Sequence, residues 1–290
     1  FSNGQTWAER VDKYYYDKSY TAGENYAVGG ATALPDSIGN STSSLQAEVD
    51  NYLNDSVLED KKRTAYFIWI GANDYLNDSG SDQDALTDAV VAKISAAVET
   101  SLVANGANKI FVMNLPDLAK TPYAKKSGSD VATRLHIFTV KHNEKLAAAM
   151  QKIQQLHPGI HLVTVDIYSM FDDIVVNPDK YHIKNVTDDC LVDALYLPGS
   201  NQEKAVILDA VNKSFAAHKK SAGLPDNETI AMMITKSPDL SVVMHAVAKP
   251  NEIRICSDAS QHLFWDAVHP SETTHEVLAG VIEKQLDELG

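Results

Sequence analysis

Long apolar runs, basic clusters and cysteines are all scarce in this chain of 290 residues. No stretch approaches the ~20 consecutive apolar residues that a membrane-crossing helix needs, which excludes such a helix as the organising feature. Basic residues number 25 against 39 acidic ones, the formal charge is -14, and the longest basic run is Lys61-Lys62-Arg63. A surface so biased repels phosphate backbones, so nucleic acid is excluded as a partner. Cys190 and Cys256 are the only cysteines, too few for a cluster with zinc spacing. A disulfide in an oxidising compartment is the better use for the pair, and two buried free thiols are the alternative. Such a bridge closes a loop of about 66 residues and contributes roughly 4 kcal/mol on the chain-entropy model. No glycine-rich phosphate loop occurs. His157 and His161 have helical spacing, but Pro158 and Gly159 between them break a helix and no carboxylate stands where a zinc site needs one. Neither a metal nor an organic cofactor is therefore expected.

What is present suffices for one large core: 44% of the residues are hydrophobic, and residues 1–290 are read as a single domain. The opening Phe1-Ser2-Asn3-Gly4 is neither a signal peptide nor an initiator sequence, so the chain is expected to begin inside a longer one. Short β-rich apolar runs at Asn25–Val28, Ala65–Ile70, Lys109–Leu115 and Ile160–Asp166 read as strands buried on both sides. Between them, residues 41–53, 82–104 and 131–156 repeat apolar side chains at three and four, as amphipathic helices do. This alternation predicts a parallel sheet with helices on both faces. From about Asn177 to Leu263 the alternation stops, and residues 177–263 read as an insertion of loops and short helices, with helical patterns at 197–220 and 225–250. Such an insertion either covers the active site as a lid or packs on one sheet edge.

Ligands bind open parallel sheets at the carboxyl ends of the strands, so the residues after each run carry the most information. They are Gly29-Gly30-Ala31-Thr32, then Gly71-Ala72-Asn73-Asp74-Tyr75, then Asn114-Leu115-Pro116-Asp117. Asp266 and His269 come last, within Phe264-Trp265-Asp266-Ala267-Val268-His269-Pro270, ahead of a helix that Pro270 and Ser271 can start. Ester hydrolysis needs a base, a carboxylate that fixes its tautomer, and N–H donors for the oxyanion. An Asp and a His separated by two residues on a tight turn meet without help from another loop. Gly30 offers a backbone N–H unobstructed by a Cβ, and Asn73 offers a side-chain amide. Each piece alone has a bland reading, as a cap, a turn or an Asx bond. Their common place after strands is what singles them out.

"NYAVGGATA", "IWIGANDYL" and "FWDAVHP", in this order, resemble three of the four sequence blocks of the GDSL, or SGNH, hydrolases, and "FSNGQTWAE" resembles the segment after the missing first block. "NLPDLAKTP", "HNEKL" and the paired cysteines resemble the secreted bacterial branch of phospholipases A, lysophospholipases and glycerophospholipid:cholesterol acyltransferases. The resemblance implies a flavodoxin-like three-layer α/β/α sandwich and a lipolytic serine esterase, secreted or periplasmic, that touches the membrane surface transiently. Phospholipid or lysophospholipid would be its substrate and a sterol a second acyl acceptor. It places Asp266 as orienting acid, His269 as base, and Gly30 and Asn73 as oxyanion donors, with Gly29 as the alternative to Gly30. The Gly-Asp-Ser-Leu block, with the nucleophilic serine and the first strand, is not in this sequence. Ser37 resembles it superficially but follows the Gly30 block and is rejected for being out of order. The chain by itself is therefore expected to be inactive. A carbohydrate or short-chain esterase, and a non-catalytic binding module, are the rival readings.

Among neighbouring residues, Asp74 and Tyr75 are expected to shape the Asn73 loop, and Trp265 to line an acyl pocket or the core. His142 is expected to pack or cap, and His275 to lie on the outer face of the last helix.

Overall fold

The computed structural model describes residues 2–19, 21–35, 44–57, 59–78, 80–192 and 254–288. Its centre is a parallel sheet of β1 (Ala65–Ile68), β2 (Lys109–Met113) and β3 (His161–Val165), in that order. Ala65 pairs with Lys109, and Lys109 with His161. Successive side chains of a strand point to opposite faces, so β2 splits the core in two. Ile110 and Val112 enter one apolar cluster, while Phe111 and Met113 enter the other. The helices, in chain order, are α1 (Trp7–Ser19), α2 (Leu45–Asp55), α3 (Ala72–Leu76), α4 (Gln83–Ala96), α5 (Pro122–Ser127), α6 (Ser129–Leu156), α7 (Ile167–Val176) and α8 (Glu272–Glu288). Buried residues of α2, α4 and α6 fill the first cluster; those of α1, α7 and α8 fill the second. The result is the expected three-layer α/β/α arrangement.

Local chemistry sets the helix starts. Ser44, Asp82 and Asp166 each accept a backbone N–H three residues ahead, at 3.4, 2.9 and 3.0 Å, as N-caps do. At α5 the cap is Thr121, with Pro122 in the first turn, where a missing N–H costs nothing. On α6 the buried residues Leu135, Phe138, Thr139, His142, Leu146, Met150 and Ile153 trace one stripe, spaced by three and four. None of the described helices is long and apolar enough to cross a membrane.

The run Asn25–Val28 is not a strand, contrary to expectation. It has no ladder partner among the described residues, and Val28 is 46% exposed. A strand requires a neighbour for its ladder, and β1, at the edge of the sheet, pairs only with β2 among the described residues. The strand expected to end at Ile70 ends at Ile68, and the one expected over Ile160–Asp166 spans His161–Val165.

Both ends of the segment read as an insertion of loops and short helices form strands. β4 (Asn185–Asp189) runs parallel to β7 (His262–Phe264), and β5 (Leu191–Val192) is antiparallel to β6 (Arg254–Ile255). Cys190 and Cys256 are joined in a disulfide, with Cα atoms 4.9 Å apart. The helical patterns at 197–220 and 225–250 lie outside the described residues, as does Ser37.

Phe111 is fully buried and stacks on Phe67 with ring centroids 4.9 Å apart. Phe111→Ala should lower stability by about 3–5 kcal/mol, the range for emptying an aromatic site in a core. Urea denaturation checks this, with the midpoint falling and the slope unchanged.

Candidate active site

The turn after β7 brings Asp266 and His269 together. The ring Nδ1 of His269 lies 2.9 and 2.7 Å from the two carboxylate oxygens of Asp266. The same carboxylate accepts the backbone N–H groups of Val268 at 3.0 Å and His269 at 2.8 Å. Burial, with 2% of Asp266 exposed, works to raise its pKa. The neighbouring imidazole and the two backbone donors outweigh burial and hold the carboxyl below the usual carboxylate range. The turn closes through Trp265 N–H to His269 O at 2.8 Å, then passes through Pro270 to Ser271, whose hydroxyl accepts the N–H of Thr274 and donates to His262 O. Ser271 is thus the cap of α8, and Pro270 precedes it.

This turn is held from two sides. Leu191 N–H donates to Trp265 O at 2.7 Å and Cys190 N–H to Phe264 O at 3.3 Å, so the disulfide-bearing segment is stitched to the residues just before Asp266. From α5, Tyr123 N–H donates to Ala267 O at 2.9 Å. Trp265 itself is half-buried.

A second assembly joins the loops after the Asn25–Val28 run and after β1. Ala31 N–H bonds Val28 O at 3.1 Å across Gly29 and Gly30, and Gly30 has φ 84°, the left-handed backbone that glycine adopts without strain. Asn73 donates from Nδ2 to Ala31 O at 3.0 Å, which uses one of its two amide hydrogens. Asp74 accepts Ala33 N–H at 2.8 Å and Leu34 N–H at 3.0 Å. Burial raises the Asp74 pKa to about 6, against the pull of those two donors. The carboxylate therefore ties two loops together, as expected of a residue that shapes the Asn73 turn. Gly30, Asn73 and Asp74 are thus in one assembly and Asp266 with His269 in another. Val268 packs on the apolar cluster that also holds Tyr75 and Leu115, so the two assemblies share a base.

Three features were not anticipated. His275 is 6% exposed rather than on the outer face, and desolvation pushes its pKa down to about 4, with His269 nearby adding to the fall. The signal was present: His275, Leu278, Ala279 and Ile282 fall on one helical stripe, all buried. A second aspartate and histidine meet where His136 Nδ1 lies 2.9 Å from the buried carboxylate of Asp117, just beyond β2. Lys126 also engages both oxygens of buried Asp189, at 2.7 and 2.6 Å. His142, expected to pack or cap, is fully buried, with its Nδ1 2.8 Å from the hydroxyl of Tyr75. Its Nε2 has no hydrogen-bond partner among the described residues, an omission worth about 1–3 kcal/mol in lost stability.

Comparison with known proteins gives the geometry its context. The chain is 26% identical over 294 residues to the phosphatidylcholine-sterol acyltransferase of Aeromonas hydrophila, covering 96% of this chain and 78% of that protein. It is 28% identical to a GDSL esterase/lipase, APG, of Arabidopsis thaliana, over 60% of this chain and 38% of the relative. It is also 25% identical to the thermolabile hemolysin of Vibrio parahaemolyticus, over 76% of this chain and 53% of the relative. The chain thus spans about half or less of the length of these last two. The family model for GDSL-like lipases and acylhydrolases matches residues 1–282, nearly the whole sequence, and the chain belongs to that family.

Proposed function

We propose that this chain carries the acid-base arm and two oxyanion donors of a secreted bacterial serine esterase that cleaves acyl esters of phospholipids or lysophospholipids. The observation that carries the reading is the Asp266–His269 contact, in which a buried carboxylate meets Nδ1 with both oxygens. With Nδ1 so engaged, proton transfer falls to Nε2. The names of the relatives support a phospholipid acyl donor and a sterol acceptor, since one is a phosphatidylcholine-sterol acyltransferase. The disulfide supports an oxidising compartment, and hence secretion.

In the proposed reaction the nucleophilic serine comes from residues that precede Phe1. The entry of the chain supports this: Asn3 accepts the N–H of Glu272 at 2.7 Å, three residues beyond His269, so the start of the chain is pinned beside the turn. Among the described residues β1 pairs only with β2, so its other edge can take the strand such a segment would bring. His269 Nε2 takes the serine proton as Oγ attacks the acyl carbonyl. The Gly30 N–H, the second Asn73 amide hydrogen and the serine N–H face the oxyanion. Collapse expels the lysolipid or glycerol-phosphoryl alcohol, which takes the proton from His269. Water, or a sterol hydroxyl, then gives its proton to His269 and attacks the acyl-enzyme, releasing fatty acid or sterol ester. In this reading Gly29 serves only the turn, and Trp265 flanks the acyl chain. Contact with the membrane surface lasts only as long as lipid capture.

A fluorophosphonate probe should label full-length protein and leave a chain that starts at Phe1 unlabelled. Labelling of the shorter chain would refute the upstream serine. Asn73→Ala in the full-length enzyme should reduce kcat by about 10²–10³, the loss seen when one oxyanion donor is removed, and an undiminished kcat would sink its role. Asp266→Asn should cost up to ~10⁴ in kcat by spoiling the tautomer of His269. Release of long-chain fatty acid from lysophosphatidylcholine, measured against acetate from an acetylated glycan, separates the lipid reading from that of a carbohydrate or short-chain esterase.

A further inference from the structure

Helix α3 has five residues, too short to be stable by its own hydrogen bonds. Its position must be set from outside. At its start, Gly71 has φ 110°, a conformation that admits glycine without strain, and a Cβ there would stand 3.0 Å from Cε1 and 3.5 Å from Nδ1 of His142. Near its end, the Tyr75 hydroxyl is 2.8 Å from that same Nδ1. The Tyr75 ring meets the imidazole edge-on at 5.5 Å and stacks on Phe138 at 4.8 Å. Asn73 lies between these two anchor points. One ring, carried by the long helix α6, therefore grips α3 on both sides of the residue proposed as an oxyanion donor.

The chemistry of His142 makes a purely space-filling role a poor account of it. A phenylalanine or leucine would fill the site without leaving a nitrogen buried and unpaired, as Nε2 is. What a histidine adds is a flat edge thin enough to lie against Gly71, together with a nitrogen directed at Tyr75. Desolvation pushes its pKa down to about 4, so the ring is neutral at ordinary pH and brings no charge beneath the donor turn.

We propose that His142 is a positioning residue for the Asn73 donor, holding α3 in register by contact with Gly71 and by its hydrogen bond to Tyr75. This rests on the reading of Asn73 as an oxyanion donor. Asp74 and the Ala31 carbonyl fix the outward side of the turn, and His142 fixes the inward side. Displacement by a fraction of an ångström leaves substrate binding largely intact and weakens a contact that matters in the transition state.

The test uses full-length enzyme and steady-state kinetics on lysophosphatidylcholine. His142→Phe and Tyr75→Phe should each lower kcat by roughly 10- to 100-fold, the scale of a small misplacement, with KM within about twofold. The double variant should be no slower than the worse single one, because both remove the same bond. His142→Asn, whose amide reaches the place of Nδ1, should recover part of the lost kcat. Tyr75→Phe deletes one oxygen, so it keeps the test open should His142→Phe fail to fold. It should also shift the NMR signals of the Asn73 side-chain amide. Met150→Ala, deeper on α6, should lower the melting temperature without changing kcat when assayed well below it. Folded His142→Phe and Tyr75→Phe enzymes with normal kcat, alongside a slow Asn73→Ala, would overturn the positioning role alone. A normal Asn73→Ala enzyme would overturn both the donor assignment and the role built upon it.

Discussion

Burial of β2 on both faces is the constraint from which the rest of the fold follows. A strand with Ile110 and Val112 on one side and Phe111 and Met113 on the other, all at 1% exposure or less, needs an apolar layer above and below it. The amphipathic helices α2, α4 and α6 supply one layer and α1, α7 and α8 the other. Because β1, β2 and β3 run parallel, their carboxyl ends emerge on one edge, where loops rather than packed elements carry the chain.

Loops at such an edge must be immobilised without a core of their own. Here buried aspartates do it. Among the described residues Asp74, Asp117, Asp189 and Asp266 are buried, and each follows or ends a strand. Asp74 accepts two backbone N–H groups of the Gly30 loop, Asp117 takes His136, Asp189 takes Lys126 from α5, and Asp266 takes its own turn and His269. A carboxylate left unpaired in such surroundings would cost several kcal/mol, so each is stable only while its partner stays in place. The same group that binds the loop also limits where the loop can go.

The parts of this arrangement legible in the sequence are those encoded locally. Apolar runs marked β1, β2 and β3, although of the three only β2 is buried on both sides as expected; β1 alternates half-buried and buried residues, and β3 is buried only at Val165. The Asp266–His269 contact was legible because three residues of turn suffice to make it. Failure came where a feature depends on a distant partner. Asn25–Val28 has the composition of a strand, yet composition cannot supply the neighbour that a ladder requires. Asp74 and Ala33 are 41 residues apart, and nothing near either residue announces their bond. His275 is a different case, since its helical phase with Leu278 and Ile282 announces its burial.

The two assemblies at the sheet edge therefore differ in how they can fail. The Asp266–His269 turn is nearly self-sufficient: Asp266 takes donors from within three residues, and the disulfide-bearing segment and α5 only brace it. The donor turn has no such autonomy. Its geometry is assembled from Ala31, Ala33 and Leu34 on one side and from His142 on another, across 40 to 67 residues of sequence. Loop-closure entropy grows only slowly with separation, so distance itself is affordable, but every added partner is one more group whose displacement is felt at Asn73. Substitutions scattered through the first half of the chain should thus reach the proposed oxyanion donors far more often than they reach the imidazole. A loss of turnover with the Asp266–His269 contact intact is the pattern this architecture imposes.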